Sequence, residues 1–450
     1  MTMALMTTRT GDIEDADGTP TGPARSRRRI YPWVVFALAF ALLLSDYMSR
    51  QVLAAVFVPL GQELHLDKAQ QGSLISVVAL MVGLLTLPVS ILADRWGRVR
   101  SLVLMAVLWS VATLACAFAQ NYEQLLAARF VVGVGEAAYG SVGIALVLSL
   151  FAPRVHAALS ASFMAGGSFG TMVGTGLGGL IAVHFGWRWS LGAMAVLGLL
   201  LVAVFKLVVT EARVKRNRVD EAGAAPSWEN AEPIRVARAP LSSLFTNSPV
   251  VCAYIGSGLQ MFMAAVMLTW LPTYFKEAYH LSVDRAGGAA AMFVLLVGSG
   301  MIVCGFLADR YSLSDGTRKW TAGIAYCTIA FVALMVAFRM PTGTAQLVLL
   351  GIGAFFAAGS SGTAAAMVAS LTHSSVQASA MGTLTLANNL LGLALAPILV
   401  GALADRLGLL GALQLAPLVY VPAVLFMVFG KRLHPRGLAK LQALNAEPAR

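Results

Sequence analysis

Charge is scarce in this sequence. Only 12% of its 450 residues are Asp, Glu, Lys or Arg, against ~25% in an ordinary soluble domain. That scarcity excludes a soluble enzyme and a disordered chain. A nucleic-acid binder is excluded too, despite a net charge of +11, because the basic residues stand in short segments between apolar runs. Cysteine is also rare. Cys116, Cys252, Cys304 and Cys327 fall inside apolar runs with no paired spacing, so neither a disulfide framework nor a metal site is expected. Six histidines lie at run ends or in loops, which leaves no clustered nucleophile or metal set for an enzyme. No phosphate-binding loop of the Walker type is present, so an ATP-driven pump is excluded. The polar start, with Arg27-Arg28-Arg29 before the first apolar run, lacks a short apolar stretch with a small-residue cleavage site. It reads as an uncleaved tail.

What fills the chain is apolar. Hydrophobic residues make up 58% and the mean hydropathy is +0.76. A membrane-crossing helix needs about 20 mostly apolar residues. Twelve such runs can be counted, at 33–58, 72–92, 101–119, 124–150, 158–183, 189–210, 248–275, 287–308, 319–339, 344–371, 377–403 and 410–430. The pattern predicts an all-α membrane protein with twelve transmembrane helices in two six-helix bundles. The bundles are expected over 32–210 and 247–430, with a polar linker at 211–246 and polar tails at 1–31 and 431–450. Of the 32 Lys and Arg, 23 lie in the tails, the linker and the loops on the linker's side, and 6 lie in the opposite loops. Cytoplasmic segments collect Lys and Arg. Both termini and the linker are therefore expected in the cytoplasm, with a bacterial inner membrane as the best fit.

An internal repeat supports two halves. Leu-Ala-Asp-Arg occurs at 92–95, 307–310 and 403–406. The first two copies end the second and eighth helices, at equivalent places, as parallel repeats do in transporters. The third ends the eleventh helix on the other side, where the plainer expectation is a simple helix cap. Gly166, Gly170, Gly174 and Gly178 recur every four residues on the fifth helix. They leave a face without side chains on which another helix can come close.

A charge deep in a spanning helix costs roughly 2.5–3.5 kcal/mol on insertion scales and is kept for function or paired. Four such residues stand out: Asp46 and Arg50 on the first helix, Arg129 and Glu136 on the fourth. Each pair shares a helix face by its spacing. The second half offers only neutral groups such as Gln260, Asn388 and Asn389. Burial favours a neutral carboxyl, and a nearby guanidinium favours the charged form. A conformational change in their separation then changes proton affinity, as proton-coupled transport requires. Glu136, Asp46 and Arg129 are the candidate proton-coupling residues; a fixed ion pair is the plainer alternative. Arg50 and Asp46, with Gln260, Asn388, Asn389 and Met263, are the candidate substrate contacts.

The loop after the second helix reads Ser90-Ile-Leu-Ala-Asp94-Arg95-Trp-Gly97-Arg98-Val-Arg100. An Asp at a helix end can accept hydrogen bonds from the N-terminal amides of a neighbouring helix. Gly97 permits a tight turn, and the arginines can pair across the halves. Asp94, Arg95, Gly97 and Arg98, with Asp309 and Arg310 in the second copy, are expected to form a conformational latch.

Twelve helices, a central linker and this loop resemble the major facilitator superfamily over about residues 30–432. Arg129-Phe-Val-Val-Gly133-Val-Gly135 is similar to that superfamily's second motif. Gly133-Val-Gly135-Glu136-Ala137-Ala138-Tyr139 resembles the spinster-like branch, as do Asp46-Tyr-Met-Ser-Arg50-Gln-Val-Leu and His184-Phe-Gly-Trp-Arg188-Trp. The chain departs from that branch at Ser49, where Asp is common, and at Ser90, where Gly is usual. The resemblance implies two bundles around a cavity that opens alternately to each side. It implies transport of lysophospholipids or sphingosine phosphates, with Arg50 on the phosphate and Met261, Phe262, Met263 and Phe293 around the acyl chain. A carrier of small organic anions or drugs is the alternative. No metal or cofactor is expected beyond a coupling proton. The expected partners are the bilayer and a small amphipathic or anionic substrate, with the chain acting as a monomer.

Overall fold

A computed structural model describes residues 24–152, 155–217, 242–312, 316–373 and 376–446. Most of the N-terminal tail, residues 218–241 of the linker and the last four residues lie outside the described part. The described residues are helical almost throughout. The first half contains α1 (Ala24–Ala55), α2 (Lys68–Trp96), α3 (Arg98–Phe118), α4 (Tyr122–Glu136, resuming as Tyr139–Leu148), α5 (His156–Phe185) and α6 (Trp187–Val208). The second contains α7 (Ser248–Ala278), α8 (Val283–Tyr311), α9 (Arg318–Ala337) and α10 (Thr344–Ala357, resuming as Ser361–Ser370). It closes with α11, which starts as Gln377–Ala387 and runs on through a π-helical stretch at Asn388–Ala394 to residue 407, and α12, residues 409–446.

Eleven helical stretches are long and apolar enough to cross a bilayer, because residues 379–443 form one continuous stretch. That stretch breaks at Gly408, where φ is 75° and ψ is 159°. Glycine adopts this backbone without a Cβ penalty, so the chain turns there, between α11 and α12. The described residues thus hold twelve spans. Gly97 and Gly186, with φ of 101° and 88°, turn α2 into α3 and α5 into α6 in the same way. Asp67 and Gln70 start α2 with a reciprocal capping box. All four cysteines are buried and free.

The glycine stripe of α5 lies on α1. A Cβ would stand 2.7 Å from the Phe40 ring at Gly166, 2.5 Å from the Leu44 carbonyl at Gly170, and 2.6 Å from the Met48 backbone at Gly174. At Gly178 it would stand 2.6 Å from Val52. Two rows with a four-residue repeat therefore meet face to face, and the backbones approach closely.

The two halves meet in the same manner at the end of the molecule away from the linker. A Cβ on Gly72 of α2 would lie 2.2 Å from the Pro397 carbonyl of α11, and one on Gly401 2.3 Å from the Lys68 carbonyl. Between α5 and α8, a Cβ on Gly287 would lie 2.8 Å from the Thr175 carbonyl. Backbone meets backbone at this far end, and it is shut.

Candidate functional site

Midway along the bundle α4 is interrupted at residues 137–138, so Glu136 ends its first segment. Small residues let the neighbours close in: a Cβ on Gly135 would lie 2.7 Å from the Trp109 backbone of α3. The interruption leaves the Ala137 carbonyl outside the helical ladder, and the Thr86 hydroxyl donates to it at 2.7 Å. A carboxylate at a helix C-terminal end opposes the helix dipole, so Glu136 needs a cation. Arg50 of α1 supplies it. Its Nη2 lies 2.8 Å from Glu136 Oε2 and 3.9 Å from Asp46 Oδ2. The Arg50 guanidinium also lies 5.2 Å from the centre of the Tyr47 ring. Two carboxyls thus share one guanidinium.

The three side chains differ in access. Glu136 is wholly enclosed and Asp46 is 4% exposed, while Arg50 is 19% exposed. Arg50 opens onto a cavity of ≈ 110 Å³ between the halves. Tyr47, Gln51 and Thr171 line it from the first half, and Leu268, Thr269 and Leu393 from the second. Arg50 is the one charged residue among the lining residues.

Arg129 is not the partner of Glu136 that its spacing suggests. Seven residues along a helix separate two side chains by about 10 Å along the axis, and Arg50 arrives from α1 at closer range. Arg129 is fully buried and donates its Nε–H to the Leu74 carbonyl of α2 at 3.1 Å. Ser49 is buried beside the cluster.

The expected contacts in the second half fall elsewhere. Gln260 donates to the Phe356 carbonyl at 3.3 Å and accepts from the Ser360 amide at 3.1 Å and from its hydroxyl. Its amide therefore bridges the break in α10 and is turned from the cavity. Met263 is completely buried, and Phe293 packs against Phe275 with ring centres 5.3 Å apart and the planes tilted by 49°. Asn389 donates to the Thr385 carbonyl at 2.9 Å and packs on Gly83 of α2. Asn388 is half-buried in the same π-helical stretch, which also sends Leu393 to the cavity wall. Thr171 and Thr269 are cavity residues that spacing did not single out; a lone hydroxyl in an apolar run was their only signal.

The latch residues are distributed as follows. The side chain of Asp94 lies outside the described residues. Arg95 is exposed, and Arg98 donates to the Ala145 carbonyl at 3.0 Å within its own half. Asp309 pairs with Lys319 at 3.0 Å, and Arg310 is exposed. Among the described residues, the repeat's contact across the halves comes from its third copy, at the far end. Asp405 accepts the Lys68 amide at 2.7 Å and the Ala69 amide at 2.9 Å. Lys68 Nζ pairs with Glu277 of α7 at 2.5 Å. Asp405 does cap a helix, but the helix belongs to the other half.

The chain is similar to known proteins in family, sequence and fold. A family profile described as Major Facilitator Superfamily matches residues 38–397. Among curated proteins, a probable L-galactonate transporter of Escherichia coli K12 is 26% identical over 338 residues, covering 73% of each chain. The 4-hydroxybenzoate transporter PcaK of Pseudomonas aeruginosa is 26% identical over 339 residues, covering 68% of this chain and 75% of its own. Among solved structures, a bacterial homologue of the human lysosomal transporter Spinster, inward-facing and unoccupied, superposes with a TM-score of 0.74 at 18% identity. That match covers 93% of this chain and 99% of the other, and it shows a shared fold.

Proposed function

The chain belongs to the Major Facilitator Superfamily and is a multi-pass membrane transporter; from that premise we propose that it carries a small organic anion by proton-coupled alternating access. The observation that carries this reading is the sharing of Arg50 by Glu136 and Asp46 at the cavity wall. A guanidinium is a fork for a carboxylate. A substrate carboxylate that takes Arg50 leaves Glu136 and Asp46 without their cation, and the uncompensated negative charge at that depth is costly unless a proton enters with the anion. Anion and proton thereby enter together. The relatives named for galactonate and 4-hydroxybenzoate support an anionic substrate.

The lysophospholipid expected first from the sequence has less support. The cavity, at ≈ 110 Å³, is smaller than the ~300–1,000 Å³ of a drug-sized ligand pocket. Met263 and Phe293, expected around an acyl chain, are buried within the second half. The basic bias toward the linker end supports a cytoplasmic linker. The shut far end then faces outward from a bacterial inner membrane.

The test is uptake into proteoliposomes under an imposed pH gradient, with a sugar acid, a hydroxybenzoate and a lysophospholipid as labelled probes. Uptake of a small acid that Arg50→Ala abolishes is the expected result. Uptake of the lysophospholipid alone would reverse the assignment.

A further inference from the structure

A groove of ≈ 520 Å³ runs between α3 and the end of α6 at the linker end, remote from the central cavity. Its walls are apolar, formed by Val99, Val103, Leu104 and Val107 on one side and Val209 on the other. Leu104 and Leu207 beside it are exposed, so this face is turned to the bilayer. Two cations stand in the groove, Arg100 on the first turn of α3 and Lys206 on the last turn of α6. Both are exposed, and neither has an ion pair or hydrogen bond among the described residues. The groove's carboxylate, Glu211, is already engaged. Its Oε1 accepts the Val99 amide at 2.9 Å and caps α3. Gly97 preserves that contact, since a Cβ there would lie 2.6 Å from the same oxygen.

A cation on the first turn of a helix opposes the helix dipole, so Arg100 calls for an anion. Lys206 lies near a membrane boundary, where a long side chain lays its stem on apolar surface and keeps its charge at the interface. Arg213, Lys215 and Arg216 follow on the short helix Glu211–Asn217 and add positive charge nearby. A ligand that satisfies all of this has an apolar tail for the groove and a net negative head for the cations. A zwitterionic head brings an ammonium group toward the same cations and is disfavoured. We infer that this groove binds an anionic phospholipid, with the phosphate held between Arg100 and Lys206 and an acyl chain along Val103 and Val107. The site is independent of the substrate cavity.

The test uses the full chain in nanodiscs of phosphatidylcholine, with and without a minor fraction of phosphatidylglycerol. Lipid retained after gentle extraction is counted by native mass spectrometry, and the melting temperature is read in parallel. Each cation near an anionic lipid contributes roughly fivefold in affinity. Wild-type protein should retain phosphatidylglycerol over phosphatidylcholine by roughly 25-fold at low salt, and melt higher with it. The double variant Arg100→Gln, Lys206→Gln should lose that preference, while Arg100→Lys, Lys206→Arg should keep it. Arg432→Gln, Arg436→Gln removes the same charge from exposed sites on α12 and should leave the preference intact. Equal retention of both lipids by the wild type would overturn the inference. So would equal losses in the two charge-removing doubles, which would mean general surface charge in place of a site.

Discussion

At the scale of single residues, the position of Arg50 decides the chemistry. It is the one member of the charged cluster with access to the cavity, and it holds both carboxyls. If Glu136 carries the proposed coupling, Glu136→Gln fixes its side chain in a neutral form. Exchange of substrate across the membrane should persist in this variant, while accumulation driven by a pH gradient is lost. Retained accumulation in proteoliposomes would make Glu136 structural. Arg50→Lys should recover little transport, because a single ammonium cannot offer the planar two-donor fork. The four deep charges were legible from sequence because a buried charge stands out in an apolar run. Their pairing was not. Spacing on one helix says which residues share a face, but the approach of α1 to α4 gives Glu136 to Arg50 and leaves Arg129 on the Leu74 carbonyl. Gln260 goes elsewhere for a related reason: Gly359-Ser360-Ser361-Gly362 marks a break in α10, but the claim that break makes on the Gln260 amide depends on how α7 packs against it.

At the scale of helices, glycine sets the distances. Gly174→Val would drive a side chain into the Met48 backbone, and overpacking of this kind costs about 1–3 kcal/mol. Gly176→Ala, with 3.9 Å to the Ala291 Cβ, should be neutral. Thermal melts of the two purified variants check the contrast. The α5 stripe could be read from its four-residue repeat, although its partner could not. The Asp405 cap shows the same division. The third Leu-Ala-Asp-Arg copy is plain in the sequence, but only the fold brings it to the first turn of α2, 337 residues away. Losing a charged helix cap costs roughly 0.5–2 kcal/mol. Asp405→Ala should therefore loosen the far end and shift the balance between the two open states by up to about 30-fold. Reactivity of a cysteine engineered at Leu66 reports it, and unchanged labelling would limit Asp405 to a local cap.

At the scale of the molecule, twelve runs and two halves followed from hydropathy and repeat, and a central cavity from the family resemblance. The fusion of α11 with α12 across Gly408, and the π-helical stretch that sends Leu393 inward, did not, because both depend on backbone geometry that composition leaves open. The shared guanidinium has an electrical consequence for the whole carrier. With both carboxyls ionised, Asp46, Arg50 and Glu136 sum to one negative charge. One proton makes the empty cluster neutral, and a bound monovalent anion requires two. Net charge is costly at that depth, so the empty and loaded carrier should each cross in its neutral form. On the proposed anion–proton coupling, each anion should travel with one net proton, and the cycle should move no current. A potassium diffusion potential should leave uptake unchanged, while each unit of pH difference should support roughly tenfold accumulation. Uptake that follows voltage would mean a different proton count at Arg50.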